Sequence, residues 1–260
     1  MRLLLDVGNS TVHTALGEEG RVLRESRFVT SDRGDFASFL DRFLRGFRPR
    51  VRNVGLASVD PAVRESVLEA VRGLGVPVLE IGRDLEVPLT NPYEVPEHLG
   101  IDRLVDAWAV HRRFDGGRIV VDFGTAITVD AVAVDPSGRP CFHSGAILPG
   151  FWLSLQALAA RGAQLPSVES VDHEGLPTRG TEGAMVAGLR SGIPGMIDRV
   201  AEDLAEAAGI EPRVVATGGD ARRFAERCRL PLEVVPSLTL LGILDLLEGS
   251  PVGADRREGT

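Results

Sequence analysis

The sequence contains no lysine, and all 29 of its basic residues are arginine. This absence excludes a phosphate-binding loop built around lysine, a lysine Schiff base and a lysine general base. If the chain handles phosphate, it must use arginine, backbone amides, hydroxyl groups and a metal ion. The formal net charge of −8 also argues against a nucleic-acid-binding protein that acts through a general basic surface.

Cysteine is scarce, since Cys141 and Cys228 are the only two in the chain. Two isolated cysteines are typical of small buried side chains in a reducing compartment, and they lack the spacing of a structural zinc site. No apolar run approaches the roughly 18 residues that a membrane span needs. The first residues do not resemble a secretory signal. We therefore expect a soluble, cytoplasmic protein without a membrane or nucleic-acid partner.

An Asp-x-Gly signal occurs twice, each time directly after an apolar run. Residues 3–12 read LLLDVGNSTV and residues 120–129 read VVDFGTAITV. Each run predicts a buried strand that ends at Asp6 or Asp122, and Gly8 or Gly124 then allows a tight turn or the close approach of a ligand. A carboxylate beside such a donor-rich turn suits Mg²⁺ bound to nucleotide phosphates. One copy could equally be an ordinary β-turn, but two copies favour a divided phosphate site.

The two signals each open a half with the same predicted order of elements. Apolar periodicity predicts strands at residues 2–7, 12–16, 21–29, 51–59 and 76–81, and helices at 36–47 and 62–72. In the second half it predicts strands at 118–124, 126–135, 141–148, 212–219 and 232–236, and helices at 151–160, 182–208 and 238–247, with a break or kink at Pro194. We expect an N-terminal half (1–115), a C-terminal half (116–248) and a disordered tail (249–260), with the ligand in a cleft between the halves.

Two further stretches could carry chemistry. The turn TGGD at residues 217–220 offers bare backbone to a flat group such as adenine, although helix capping by Asp220 would explain it equally well. In NPYEVPEHLGIDRLVDAWAV, residues 91–110, Asp102 and Arg103 stand at the start of a predicted helix. The helix N-terminus and Arg103 should both keep the Asp102 carboxylate ionised. The residues alone leave open whether Asp102 is functional or only caps the helix while Arg103 pairs on the surface.

Taken together, these motifs resemble the type III pantothenate kinases, a family of the sugar-kinase, Hsp70 and actin superfamily of ATPases. DVGNS corresponds to the family pattern DxGNT, residues 93–103 match Y-x-x-P-x-x-[VL]-G-x-D-R, and DFGTAIT corresponds to DxGTATT. GAILPG at residues 145–150 and the stretch at 181–198 also resemble family segments, so the likeness covers roughly residues 1–248. Ser10 replaces the last threonine of DxGNT and keeps its hydroxyl group. Ile127 replaces a threonine of DxGTATT and therefore removes one hydroxyl donor.

The resemblance implies an α/β fold of two duplicated ribonuclease-H-like (actin-like ATPase) halves, each a mixed sheet flanked by helices. It implies ATP-dependent phosphorylation of pantothenate to 4′-phosphopantothenate, the first step of coenzyme A biosynthesis, by a homodimer that uses Mg²⁺ and K⁺ or NH₄⁺. Asp102 would be the general base, Asp6 would lie near Mg²⁺ and Asp122 would bind the monovalent cation. The ATP-binding residues would be Asp6, Val7, Gly8, Asn9, Ser10, Thr11, Val12, His13 and Thr125. Pantothenate would be held by Tyr93, Gly100, Ile101, Asp102, Arg103 and Thr181.

Two other functions remain possible on the residues alone. The chain could be a non-catalytic regulatory or accessory relative, or a kinase of the same superfamily that acts on another small hydroxyl substrate. The presence of Asp6, Asp102, Arg103 and Asp122 argues against the regulator, because a regulator has no chemical need for all four.

Overall fold

A computed structural model describes residues 1–30, 35–93, 95, 98–168, 171 and 176–250 of the chain. These residues form two compact units. The first comprises the described residues of Met1–Leu89, Glu94–Arg113 and Ser237–Thr260, and the second those of Thr90–Tyr93 and Phe114–Pro236. Among the described helices, none combines the length and the hydropathy needed to span a bilayer.

The first unit is a five-stranded mixed sheet of order β3-β2-β1-β4-β5 with helices on both faces. Its antiparallel part joins β1 (Arg2–Val7), β2 (Thr11–Glu18) and β3 (Arg21–Val29), and β4 (Asn53–Ser58) and β5 (Val78–Glu80) continue parallel to β1. One face packs on α1 (Phe36–Phe43) and α2 (Pro61–Arg72), beside a 3₁₀ turn at Arg48–Arg50. The other face packs on α3 (Ile101–Arg113) and α7 (Leu238–Gly249).

The apolar run of β1 is continuous because both faces of this strand are covered. Leu3 and Leu5 belong to the cluster with α1 and α2, whereas Leu4 belongs to the cluster with α3 and α7. Alternation of side chains along a strand requires apolar residues at every position when neither face meets water. On β4, the parallel neighbour of β1, Gly55 gives α7 room to pack closely. A Cβ at this position would lie 2.7 Å from atoms of Ile243 and Leu247 on α7.

The second unit repeats the first. Its sheet runs β10-β9-β6-β7-β8, which read from the other edge is the order of the first sheet. The strands are β6 (Arg118–Phe123), β7 (Ala126–Val134), β8 (Pro140–Pro149), β9 (Val214–Thr217) and β10 (Leu232–Val234). The helices α4 (Phe151–Arg161), α5 (Thr181–Ala208) and α6 (Ala221–Ala225) share one apolar cluster with it. This repeated topology confirms the expected fold class of two ribonuclease-H-like halves.

The closing helix α7, expected in the C-terminal half of residues 116–248, lies in the first unit because Leu240 and Ile243 pack on its sheet. Of the break or kink predicted at Pro194, the break is wrong, since α5 runs through this buried proline without interruption. The tail expected at 249–260 falls on residues 251–260, outside the described residues, while Gly249 is the last residue of α7.

Candidate functional site

The first Asp-x-Gly loop is a tight connection between β1 and β2. The Gly8 amide donates to the Thr11 carbonyl (3.0 Å), and the Thr30 amide donates to the Ser10 carbonyl (2.9 Å). Asn9 and Ser10 are exposed. A Cβ at Gly8 would make only an ordinary contact, 3.5 Å from the Thr11 oxygen. The fold itself therefore does not require glycine at this position, and the backbone stays open to the approach of a ligand.

Asp6 and His13 are direct neighbours across β1 and β2, with Val7 and Val12 as the next pair. His13 Nε2 lies 3.3 Å from Glu25 Oε2, and this same oxygen accepts a hydrogen bond from Ser237 Oγ. Burial and the charge of Arg27 lower the pKa of His13, although Glu25 acts in the opposite direction.

This side-chain network was not predicted, since His13 was expected only as one of the ATP-binding residues of the first loop. The alternation along β3 could have placed Glu25 on the same sheet face as His13. Ser237 could not have been found in this way, because it is 212 residues from Glu25 in the chain.

Asp102 lies in the first turn of α3, where its Oδ1 accepts a hydrogen bond from the Arg103 amide (2.9 Å). Burial raises the pKa of Asp102, although the amide and the charge of Arg103 oppose the shift. The expectation that the helix N-terminus and Arg103 keep this carboxylate ionised did not include burial, which has the larger effect on its pKa. A Cβ at Gly100 would lie 2.4 Å from Asp102 Oδ1, so glycine at this position leaves room for the carboxylate.

The start of α3 lies on the same face and at the same edge of the first sheet as Asp6. Ile101 packs in the cluster that contains Leu4 and Ala57, and Ala57 is the neighbour of Asp6 on β4. Ile101 also meets Gly82, just beyond the carboxyl end of β5, where a Cβ would lie 2.9 Å from Ile101 Cδ1. Parallel strands place their carboxyl ends at one edge, so Asp102 belongs to the edge that carries the first loop.

Arg103, the neighbour of the predicted base, is only 7% exposed. The alternative in which this arginine pairs on the surface therefore does not fit the structure. A buried guanidinium at a functional edge is instead suited to a planar, bidentate partner such as a carboxylate.

The second Asp-x-Gly loop is held by the end of β8. The Gly124 amide donates to the Ala126 carbonyl (3.1 Å), and the Gly150 amide donates to the Thr125 carbonyl (3.1 Å). A Cβ at Gly150 would lie 2.4 Å from the carbonyl oxygens of both Gly124 and Thr125. The last glycine of GAILPG is thus required for the loop that presents the exposed Thr125.

The third glycine turn packs directly on Asp122. Gly218 has a φ of +94°, and a Cβ there would lie 2.3 Å from Asp122 Oδ1 and 2.6 Å from the backbone nitrogen and oxygen of Phe123. The Asp220 amide donates to the Phe123 carbonyl (3.2 Å). The Asp220 side chain makes no capping hydrogen bond to α6, so capping does not explain this turn.

The remaining predicted residues of the second unit lie apart from this turn. Tyr93 packs edge-on against Phe142, with ring centroids 5.7 Å apart. The strand register puts Phe142 on the sheet face of Asp122, but further along β7 and β8. Thr181 is exposed at the first residue of α5, and α5 packs on the opposite face of the sheet.

The donors present fit ions that share their coordination with phosphate and water. Within the described ranges, no group of three or more His, Cys, Asp or Glu residues could hold a metal ion. A divalent ion at Asp6 would therefore take most of its ligands from water and phosphate oxygens, which is how Mg²⁺ accompanies nucleotides. Asp122 and the buried Thr217 beside it offer hard oxygen atoms, which suit a cation such as K⁺ better than a soft metal.

Comparison with known proteins agrees with this arrangement. A family model of type III pantothenate kinase matches residues 2–203. A type III pantothenate kinase of Anaeromyxobacter dehalogenans is 36% identical over 257 residues, covering 95% of this chain and 99% of the relative. That of Syntrophotalea carbinolica is 33% identical over 251 residues, covering 94% and 96%. The crystal structure of ethanolamine utilization protein EutJ from Carboxydothermus hydrogenoformans shares the fold, with a TM-score of 0.55 at 14% identity over 93% of this chain and 88% of that one. The chain therefore belongs to the type III pantothenate kinase family.

Proposed function

We propose that the chain transfers the γ-phosphoryl group of ATP to the hydroxyl group of pantothenate, with Asp102 as the general base. Family membership supports the reaction, whose product, 4′-phosphopantothenate, is the first intermediate made from pantothenate on the way to coenzyme A. The observation that carries the choice of base is the position of Asp102. It lies at the sheet edge of the first loop, with a raised pKa and with room for its carboxylate provided by Gly100.

The residues of the first unit would perform three tasks in this reaction. Phosphoryl transfer needs positioning and charge neutralisation more than covalent chemistry. The exposed backbone of the first loop would cradle phosphate, and Mg²⁺ near Asp6 would, when bound, neutralise phosphate charge. Asp102 would accept the proton of the substrate hydroxyl, and a raised pKa makes it a stronger base than an ordinary aspartate. Arg103 would hold the pantothenate carboxylate.

In the second unit, we propose that Asp122 binds K⁺ or NH₄⁺ and that Thr125 contacts ATP. Two neighbours of Asp122 support its role: Gly218 packs directly against its carboxylate, and Thr217 is its direct neighbour on β9. Gly150 supports the role of Thr125 because it leaves space for the loop backbone. Tyr93 and Thr181 remain proposed pantothenate contacts on the strength of the family pattern.

An assay of ADP release over a panel of acceptors tests the proposed reaction. With ATP, Mg²⁺ and K⁺, pantothenate should give turnover, while pantetheine and simple sugars should serve as comparisons. Replacing K⁺ by Na⁺ should reduce the rate if Asp122 holds a monovalent cation. Turnover with a sugar but not with pantothenate would favour the other superfamily kinase. A folded protein that turns over no acceptor would favour the regulatory relative.

We also propose that the chain forms the homodimer that the family resemblance implies, through α4. This helix buries only Phe151 and Leu155, while Trp152, Leu153 and Leu158 are 44%, 39% and 38% exposed. Three large apolar side chains exposed on one helix of a soluble enzyme mark an interaction surface.

Light scattering coupled to size exclusion tests this surface. Leu158→Glu should convert the dimer to a monomer, because it places a charge in an apolar contact. Gln164→Glu, an equally acidic change at an exposed position beyond the end of α4, should leave the dimer intact. A Leu158→Glu dimer would exclude α4 as the interface, and a monomeric unmodified protein would exclude the homodimer itself.

A further inference from the structure

A chain without lysine needs another cation at its first phosphate loop. We propose that Arg27 on β3 contacts the terminal phosphates of ATP at this loop and is a specificity-determining residue for nucleotides that carry them. The proposal rests on the proposed function, because it takes the loop at residues 8–10 as a phosphate site.

The strand register places Arg27 in line with Asp6. Arg27 is the direct neighbour of His13 across β2 and β3, and His13 is the direct neighbour of Asp6 across β1 and β2. Directly paired residues project to the same side of a sheet, so the three side chains form one row. Neighbouring strands are about 4.8 Å apart, which separates the Cα atoms of Asp6 and Arg27 by about 10 Å. An arginine side chain can reach a phosphate bound across such a gap.

The same register puts Arg27 close to the loop. Three residues further along the chain, the Thr30 amide donates to the Ser10 carbonyl (2.9 Å) and Thr30 Oγ1 donates to the Asn9 carbonyl (3.4 Å). These bonds tie the end of β3 to the first loop. Arg27 therefore occupies the sheet edge from which the loop projects.

The guanidinium of Arg27 is available for a ligand. Its side chain is exposed, and within the described ranges it has no ion pair or hydrogen bond. Other arginines of this unit are committed to protein partners, since Arg24 lies 5.0 Å over the Phe43 ring and Arg64 donates to Glu80 Oε2 (2.8 Å). Glu25, two residues before Arg27 on the same strand, is already engaged by His13 and Ser237.

The charges of the row suit a polyanion. Asp6 would face the metal ion, and the partly buried His13 lies between Asp6 and Arg27. Arg27 is the cation at the outer end of this row, on the strand that pairs with β2. A guanidinium fork binds two phosphate oxygens at once, which an ammonium group cannot do in one fixed geometry.

Calorimetric titration with a non-hydrolysable ATP analogue and Mg²⁺, in the absence of pantothenate, tests the proposal. Arg27→Gln should weaken binding of the analogue by roughly 10- to 100-fold, the range for losing one charge-assisted contact. AMP, which lacks the terminal phosphates, should bind both proteins equally. Arg21→Gln is the matched control, because it removes the same charge from an exposed site at the other end of β3.

The outcomes separate this proposal from the proposed function. Equal affinities of Arg27→Gln and the unmodified protein for the analogue would overturn the role of Arg27, even if pantothenate is phosphorylated. An equal loss in Arg21→Gln would also overturn it, since general surface charge would then explain the effect. If the unmodified protein binds the analogue but does not phosphorylate pantothenate, the proposed function fails while a selective loss in Arg27→Gln still supports the contact. Thermal unfolding of each variant verifies that it is folded.

Discussion

Asp102→Asn is expected to lower kcat for pantothenate phosphorylation by roughly 10²- to 10⁴-fold, the range for losing a general base. The amide has nearly the same shape as the carboxylate, so it should fit beside Gly100 and still accept the hydrogen bond of the Arg103 amide. It cannot accept the proton of the substrate hydroxyl. Steady-state kinetics in which pantothenate is varied at saturating ATP should therefore show the loss in kcat, with a much smaller change in the KM for pantothenate.

Asp115→Asn is the matched control, because Asp115 is exposed just beyond the end of α3. It should leave kcat unchanged. The pH dependence adds an independent readout. Because burial raises the pKa of Asp102, kcat of the unmodified enzyme should begin to fall, as the pH is lowered, at a higher pH than an ordinary aspartate would produce. This fall of kcat at low pH should be absent in Asp102→Asn. If the variant keeps both the kcat of the unmodified enzyme and the fall at low pH, Asp102 is not the base.

The same substitution should stabilise the fold at neutral pH. A carboxyl group whose pKa is higher in the folded than in the unfolded state binds its proton more tightly after folding. Its contribution to stability is present below the unfolded pKa and is lost as the pH rises through the folded pKa. The neutral amide avoids this loss, so the midpoint of urea unfolding near pH 7 should increase. Activity and stability would then change in opposite directions, as is common for active-site residues.

Much of the fold could be predicted because the apolar pattern of several strands is visible within the residues of the strand itself. Four of the six residues at 2–7 are apolar, with Leu3–Leu5 consecutive, and the structure buries both faces of β1. The strand predicted at residues 21–29 coincides with β3, which alternates because one of its faces is exposed. The two Asp-x-Gly signals correctly indicated a duplication, since both sheets have the same strand order.

Other features depend on contacts between distant parts of the chain, which periodicity does not report. The apolar pattern of α7 predicted a helix but could not show that it packs on β1 and β4 of the first unit. Likewise, the motif around Asp102 indicated a functional carboxylate, but its raised pKa comes from burial by the folded chain. Pro194 does not break α5, because a helix can lose one backbone hydrogen bond when the packing of its buried face, here Ile193 and Ile197, holds it.

Gly218→Ala is expected to disturb both the stability of the second unit and the proposed cation site. The new Cβ would lie 2.3 Å from Asp122 Oδ1 and 2.6 Å from two backbone atoms of Phe123, so the turn or the carboxylate must move. The φ of +94° is also unfavourable for any residue with a side chain. Overpacking and backbone strain together should lower the free energy of unfolding by about 2–4 kcal/mol.

The functional consequence should appear in the response to monovalent cations. A displaced Asp122 carboxylate should raise the K⁺ concentration needed for half-maximal activation, measured by ADP release under conditions where circular dichroism shows a folded variant. Gly188→Ala is the control in the same unit, because this exposed helical glycine has no atom within 4 Å of the added methyl group. It should be neutral or slightly stabilising. A folded Gly218→Ala protein with an unchanged K⁺ response would show that Asp122 does not hold the activating cation.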